Sequence, residues 1–139
     1  MTRVKESLIY GALYKEADTE IAGVAMYPPE LEPDLASQND WAQIHVELDD
    51  DPMHKDEWSG TGRMRVWIGA RKDSGNIYAA KTVAHSFSTT FAKQTITVKD
   101  DVGTDKGWVR FKDAISRPLG EADGIINHYW EAPFYVNSA

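Results

Sequence analysis

Chemistry in this chain has to come from four histidines, an acidic run and a scatter of hydroxyls, because its 139 residues contain no cysteine. His45, His54, His85 and His128, with Asp49, Asp50 and Asp51, offer imidazole and carboxylate, the usual ligands of a divalent metal. Their spacing does not build a site. No His-x-x-x-His or Glu-x-x-His pair occurs, His45 and His128 fall in different expected strands, and His85 lies beside the apolar stripe of its expected helix. The run Asp49 to Glu57, with Asp50, Asp51 and Asp56, lacks the glycine and glutamate spacing of a calcium loop and reads as a solvated charge run. No Gly-x-Ser-x-Gly turn is present to expose a nucleophile. Ser59-Gly60-Thr61-Gly62 has the glycines of a phosphate loop without its lysine or its following helix, and reads as the point where the acidic run rejoins a sheet. Arg63 and Arg65, two apart, project to one side of a strand, either to pair with carboxylates of a neighbouring subunit or as a solvated basic pair. No catalytic, cofactor or metal residues are expected.

The stretch that positions these groups runs from Arg63 to Phe91. Met64, Val66, Ile68 and Ala70 alternate with Arg63, Arg65 and Trp67, the period of a half-buried strand. Ile77, Ala80, Ala84, Phe87 and Phe91 then form one apolar stripe at helical spacing, so a helix is expected to lie on that strand. Between them Asp73-Ser74-Gly75-Asn76 supplies turn residues, with Asp73, Ser74 or Asn76 as helix caps. Ser86, Ser88, Thr89 and Thr90 crowd the polar side of this helix, facing water or another surface.

Elsewhere, Thr2 to about Glu16 reads as a helix capped by Thr2, with Val4, Leu8 and Ala12, and beside them Ile9 and Leu13, on one face and Gly11 costing about 1 kcal/mol relative to alanine. Ile21 to Tyr27 is an apolar strand ended by Pro28-Pro29, and Glu30 to Asp40 a surface loop. Trp41 to Leu48 alternates cleanly, with Ala42, Ile44, Val46 and Leu48 inward and Trp41, Gln43, His45 and Glu47 outward. The acidic run projects as an arm. Thr95 to Lys99 and Trp108 to Lys112 are strands, Asp113 to Gly124 a loop, and Ile125 to Val136 a closing strand with Ile126, His128, Trp130, Ala132, Phe134 and Val136 on one side. Pro133 places that strand at an edge or marks a bulge.

Helix, strands, strand, helix, strands is the order of an α+β fold: an antiparallel or mixed sheet of about four to six strands with two helices packed on one face. The other face, with Gln43, His45, Glu47, Arg63, Arg65 and Trp67, has no cover from its own chain. Trp41, Trp67, Tyr129 and Tyr135 add apolar surface there that a monomer rarely exposes as one patch, so a partner subunit is the natural cover.

Composition sets the outer bounds. A single domain of 139 residues buries roughly two thirds of its unfolded surface. Its 42% hydrophobic and 27% charged content is ordinary for a globular protein. No apolar run approaches the roughly eighteen residues of a membrane span, and the start, Met1-Thr2-Arg3-Val4-Lys5-Glu6, has no secretory signal. The net charge of −7 argues against a general nucleic-acid binder, which needs a basic footprint.

Tyr27-Pro28-Pro29 ahead of a Trp41-led strand, an acidic hairpin arm, the Arg63–Ala70 strand with its Gly75 turn, an alanine-rich helix ending in Phe91 and an aromatic closing strand together resemble the tail-terminator proteins of long-tailed, siphovirus-like bacteriophages. The resemblance covers nearly the whole chain. It implies a non-enzymatic virion protein that is assembled in the bacterial cytoplasm and forms a ring, usually hexameric, at the head-proximal end of the tail tube. There such proteins stop tube growth and present the surface that joins the head connector. The implied partners are further copies of the chain, the tail tube protein and a head-completion or connector protein, with DNA passing through the ring. The implied contact or lumen residues are Trp41, His45, Asp49, Asp50, Asp51, Asp56, Glu57, Arg63, Arg65 and Trp67. An acidic ring would let DNA slide through without holding its phosphates. A neck adaptor or tube subunit is the related alternative, and a small metal-dependent or ligand-binding enzyme the alternative of another class.

Overall fold

The alternating Met64, Val66, Ile68 and Ala70 are all buried along a twelve-residue strand, Gly60–Arg71, at the centre of the sheet. The computed structural model describes residues 4–33, 39–49, 57–58, 60–74 and 76–138. In chain order these form β1 (Val4–Lys5), α1 (Glu6–Glu20), β2 (Ala25–Tyr27), β3 (Asp40–Leu48), β4 (Glu57–Trp58), β5 (Gly60–Arg71), α2 (Ala79–Phe91), β6 (Thr95–Lys99), β7 (Asp105–Phe111), β8 (Ile115–Ala122) and β9 (Ile125–Ser138). The main sheet runs β2-β3-β5-β9-β7-β6, with β8 on the first half of β9 beside the β7 position, while β1 and β4 make a separate two-stranded ribbon. Every pairing is antiparallel except β2 with β3. The fold is therefore α+β, with seven strands in the main sheet rather than four to six.

The core explains the layering. Ile9, Leu13 and Ala17 of α1, and Ala80, Val83, Ala84, Phe87 and Phe91 of α2, pack on the sheet face formed by Ile44, Met64, Val66, Ile68, Trp130, Ala132 and Phe134. Burying that much apolar surface, at about 25 cal/mol per Å², drives the association of the layers. Helix α2 covers β5 and β9, whereas α1 touches both outer strands, β2 and β6. Because one helix reaches both margins, the sheet is curled around its helices.

Several expectations shift. The first helix begins at Glu6, not Thr2, which lies outside the described residues, and extends to Glu20; Val4 is in β1. Its buried face is Ile9, Leu13 and Ala17, with Leu8 and Ala12 half-buried. Ile77 precedes α2 and is exposed, so the buried stripe starts at Ala79 and Ala80. No side chain caps α2; Asn76 Oδ1 instead accepts the Tyr78 N–H at 3.0 Å and shapes the turn before it. Gly60, Thr61 and Gly62, where the chain was expected to return to the sheet, are the first residues of β5. Gly62 is required by close approach, since a Cβ there would lie 2.5 Å from the Glu47 carbonyl oxygen and 2.9 Å from the Phe134 ring.

The largest correction is within Asp113 to Gly124, where Ile115–Ala122 form a strand rather than a loop. All eight residues of β8 are exposed, so no buried face imposes the alternation by which a strand is recognised. Pro133 is corrected too: β9 lies inside the sheet, between β5 and the β8–β7 side. The proline sits where β8 has ended and β7 has yet to begin. Its carbonyl accepts the Lys112 N–H at 2.9 Å, and the Lys112 carbonyl, which Pro133 has no proton to serve, accepts from Lys93 N–H at 3.1 Å.

Candidate interaction surface

Register builds the surface opposite the helices. Along β3, β5 and β9, Gln43, Trp67 and Tyr129 lie in one row, and His45, Arg65 and Glu131 in the next. Glu47, Arg63 and Pro133 make the third. Strand β8 adds Arg117 beside Tyr129 and Ile115 beside Glu131. Side chains on one sheet face reach directly across and diagonally, and here both directions carry contacts.

Arg65 is the hub. Its Nε donates to the Tyr129 hydroxyl at 2.7 Å and its Nη1 to Glu47 Oε1 at 2.8 Å. Its guanidinium lies 4.9 Å from the Trp67 ring centre, within cation–π range. The Tyr129 hydroxyl first, then Glu47, hold the guanidinium even more firmly protonated than an ordinary arginine. Arg63 reaches Glu131 at 3.6 Å and Glu47 at 4.0 Å. The His45, Trp67 and Tyr129 rings meet edge-on at 4.7 and 5.1 Å, and Arg117 stacks 5.5 Å from the Tyr129 ring centre.

Of the sequence-derived site residues, His45, Arg63, Arg65 and Trp67 are brought together on this face. Trp41 is not an exposed member: it is buried at 7% exposure, lying flat on Gly69, where a Cβ would come within 2.3 Å of its ring. Tyr129 is likewise buried, at 5%. The expected single exposed aromatic patch is therefore reduced to half-buried Trp67 and the more distant Tyr135. Glycine at position 69 makes the floor that swallows one indole, and arginine stacking screens the other rings. Asp49 is exposed at the end of β3 and bonds to the Thr61 hydroxyl. Glu57 pairs through its backbone with Lys5, while Asp50, Asp51, Asp56 and the arm they were expected to form lie outside the described residues. Glu131 and Arg117 were not foreseen as members. The alternation of the last strand placed Glu131 outward with Tyr129, which was a usable signal, whereas Arg117 sat in an expected loop.

His45 belongs to this face, while His128 is on the helix side, opposite Ile68, so the sheet separates them. Among the described residues no three His, Asp or Glu side chains gather in metal-binding geometry. His128 is buried at 7% exposure; burial foremost, then the nearby Lys81 charge, lowers its pKa below the usual 6.5. Among the described residues no helix is long and apolar enough to cross a membrane.

A second concave feature lies at the β3 margin. Strand β2 covers only Trp41 to Gln43, so beyond it the inner side of β3 and α1 leave a groove of about 450 Å³ lined by Tyr10, Tyr14, Pro28, Pro29, Ile44 and Val46. Both hydroxyls are engaged, Tyr14 donating to the Met26 carbonyl and Tyr10 to Glu6, and both residues line the groove.

The chain matches no family model and no curated protein. Among solved structures, a protein that bears no functional name aligns over 95% of this chain and 95% of its own, with a TM-score of 0.66 and 14% identity. At that identity the likeness concerns architecture, and the chain shares with that structure an α+β fold over nearly its full length.

Proposed function

We propose that this chain is a structural, non-enzymatic protein that assembles into a ring, and that the ring is the tail terminator of a long-tailed phage, closing the tail tube where it meets the head connector. The observation that carries the reading is the sheet itself. Both helices lie on one side, and the other side displays Arg63, Arg65, Arg117 and Trp67, packed over the buried Tyr129 ring, on the four paired strands β3, β5, β9 and β8. Arginine, tryptophan and tyrosine are the residues in which protein interfaces concentrate binding energy. Their mutual stacking fixes their rotamers beforehand, so little side-chain entropy is left to lose on docking. The acidic balance fits a channel that DNA traverses without counterion release.

Light scattering during size exclusion, with electron microscopy of the peak, tests the assembly: a ring with a central hole is expected, and a monomer at every concentration overturns it. The phage assignment has its own test. Added to the polymerising tube protein encoded beside its gene, the chain should cap tubes and limit their length; unchanged tube length overturns that part.

A further inference from the structure

Followed from β2 through β3, β5 and β9 to β8, the main sheet has two unlike margins: the β3 margin carries the apolar groove, and the β8 margin carries exposed apolar side chains. Ile115 is 64% and Leu119 47% exposed on β8, and no residue of that strand is buried on either face. Nor is β8 a free ladder awaiting another strand. Pro118 supplies no N–H, the register slips between Pro118 and Gly120, and Gly120 takes φ +91°, so Leu119 stands at an interruption in the edge. Prolines and bulges of this kind blunt an edge against backbone pairing while leaving its side chains available.

We infer that β8 of one copy inserts Leu119 into the Tyr10–Tyr14–Pro28–Pro29 groove of the next, making the head-to-tail contact of the assembly; this rests on the ring reading above. Charge supports a second copy as the occupant. Lys15 and Glu30 border the groove, and neither has an ion-pair partner among the described residues. Arg117, two residues from Leu119, has a ring beneath it but no carboxylate partner among the described residues, and is free to meet Glu30 of the next copy. A knob on one margin and a hole on the opposite margin make a heterologous contact, the kind that closes into a ring when its rotation allows. An isologous pair of β8 strands would close at two copies.

The absence of cysteine makes the contact testable by cross-linking. Gly11 lies in the groove with nothing within 4 Å of where its Cβ would be, so Gly11→Cys is tolerated, and Leu119→Cys changes an exposed side chain. Mixed and mildly oxidised, the two variants should give a disulfide-linked heterodimer, and neither alone a dimer. A chain carrying both should give a ladder of linked oligomers. Leu119→Asp should raise the concentration needed for assembly by about tenfold or more. If the unmodified chain assembles but G11C and L119C do not link, or L119C links mainly to itself, the contact is overturned and the ring stands. An unmodified chain that stays monomeric overturns both.

Discussion

The indole N–H of Trp130 donates to the Ser88 hydroxyl at 2.9 Å, joining β9 to α2 through the middle of the core. Trp130 is fully buried, between Phe87 and Phe91, so this serine is what satisfies a donor that has left water. Ser88→Ala should lower unfolding stability by about 1–3 kcal/mol, the cost of an orphaned buried donor. Urea titration measures it, and a loss in the Trp130→Phe background as large as in the parent would show that the hydrogen bond is not the cause.

Gly69 and Trp41 make a second dependence. Gly69→Ala places a methyl within 2.3–2.7 Å of the indole and should cost about 1–3 kcal/mol by overpacking. Trimming the indole with Trp41→Leu should recover part of the loss in the double variant. Additive losses in thermal unfolding would refute the contact.

The open face predicts a separation of stability from association. Arg65 is about one-third exposed, and its pairing with Glu47 is screened by water, so Arg65→Lys should change stability by no more than about 1 kcal/mol. It should nevertheless weaken self-association, because lysine offers neither the fork that bonds Tyr129 and Glu47 together nor a plane to stack on Trp67. Denaturation and light scattering on the same sample distinguish the two effects.

His128 gives a pH dependence of definite sign. Its folded pKa lies below the unfolded value near 6.5, so the unfolded chain takes up its proton first as pH falls. The stabilisation from the neutral, buried imidazole is complete above about pH 6.5 and is lost as pH falls from there through the lower folded pKa. His128→Gln should flatten the melting temperature over that interval; an unchanged slope would assign the dependence to other groups.

Charge on the acidic run tests the channel reading. Replacing three of Asp49, Asp50, Asp51, Asp56 and Glu57 by lysine should impair tail joining or DNA passage in a complementation assay; full infectivity would remove these carboxylates from that role.

Legibility followed burial. The alternations in β3, β5 and β9 were readable because one face of each is packed beneath the helices and the other is mostly polar, and the inward residues of β5 are all buried. Strand β8 was unreadable for the converse reason: with neither face covered, Ile115 to Ala122 carries no periodic signal, and its proline and glycine resemble a loop. The sequence could place Arg65 and Trp67 on one face but not show that Tyr129, sixty-four positions from Arg65, would bond it.

From the residues alone came the composition class, the main strands and second helix, the two-layer order and the outward row of His45, Arg63, Arg65 and Trp67, because local periodicity encodes which side of an element is apolar. Tertiary structure decided the rest: that β9 is interior despite Pro133, that α1 reaches both margins of a curled sheet, that Trp41 sinks onto Gly69, and that a groove and an exposed strand stand on opposite margins. Those outcomes depend on strand order and on close approach between residues distant in the chain, and no local pattern of side chains specifies either.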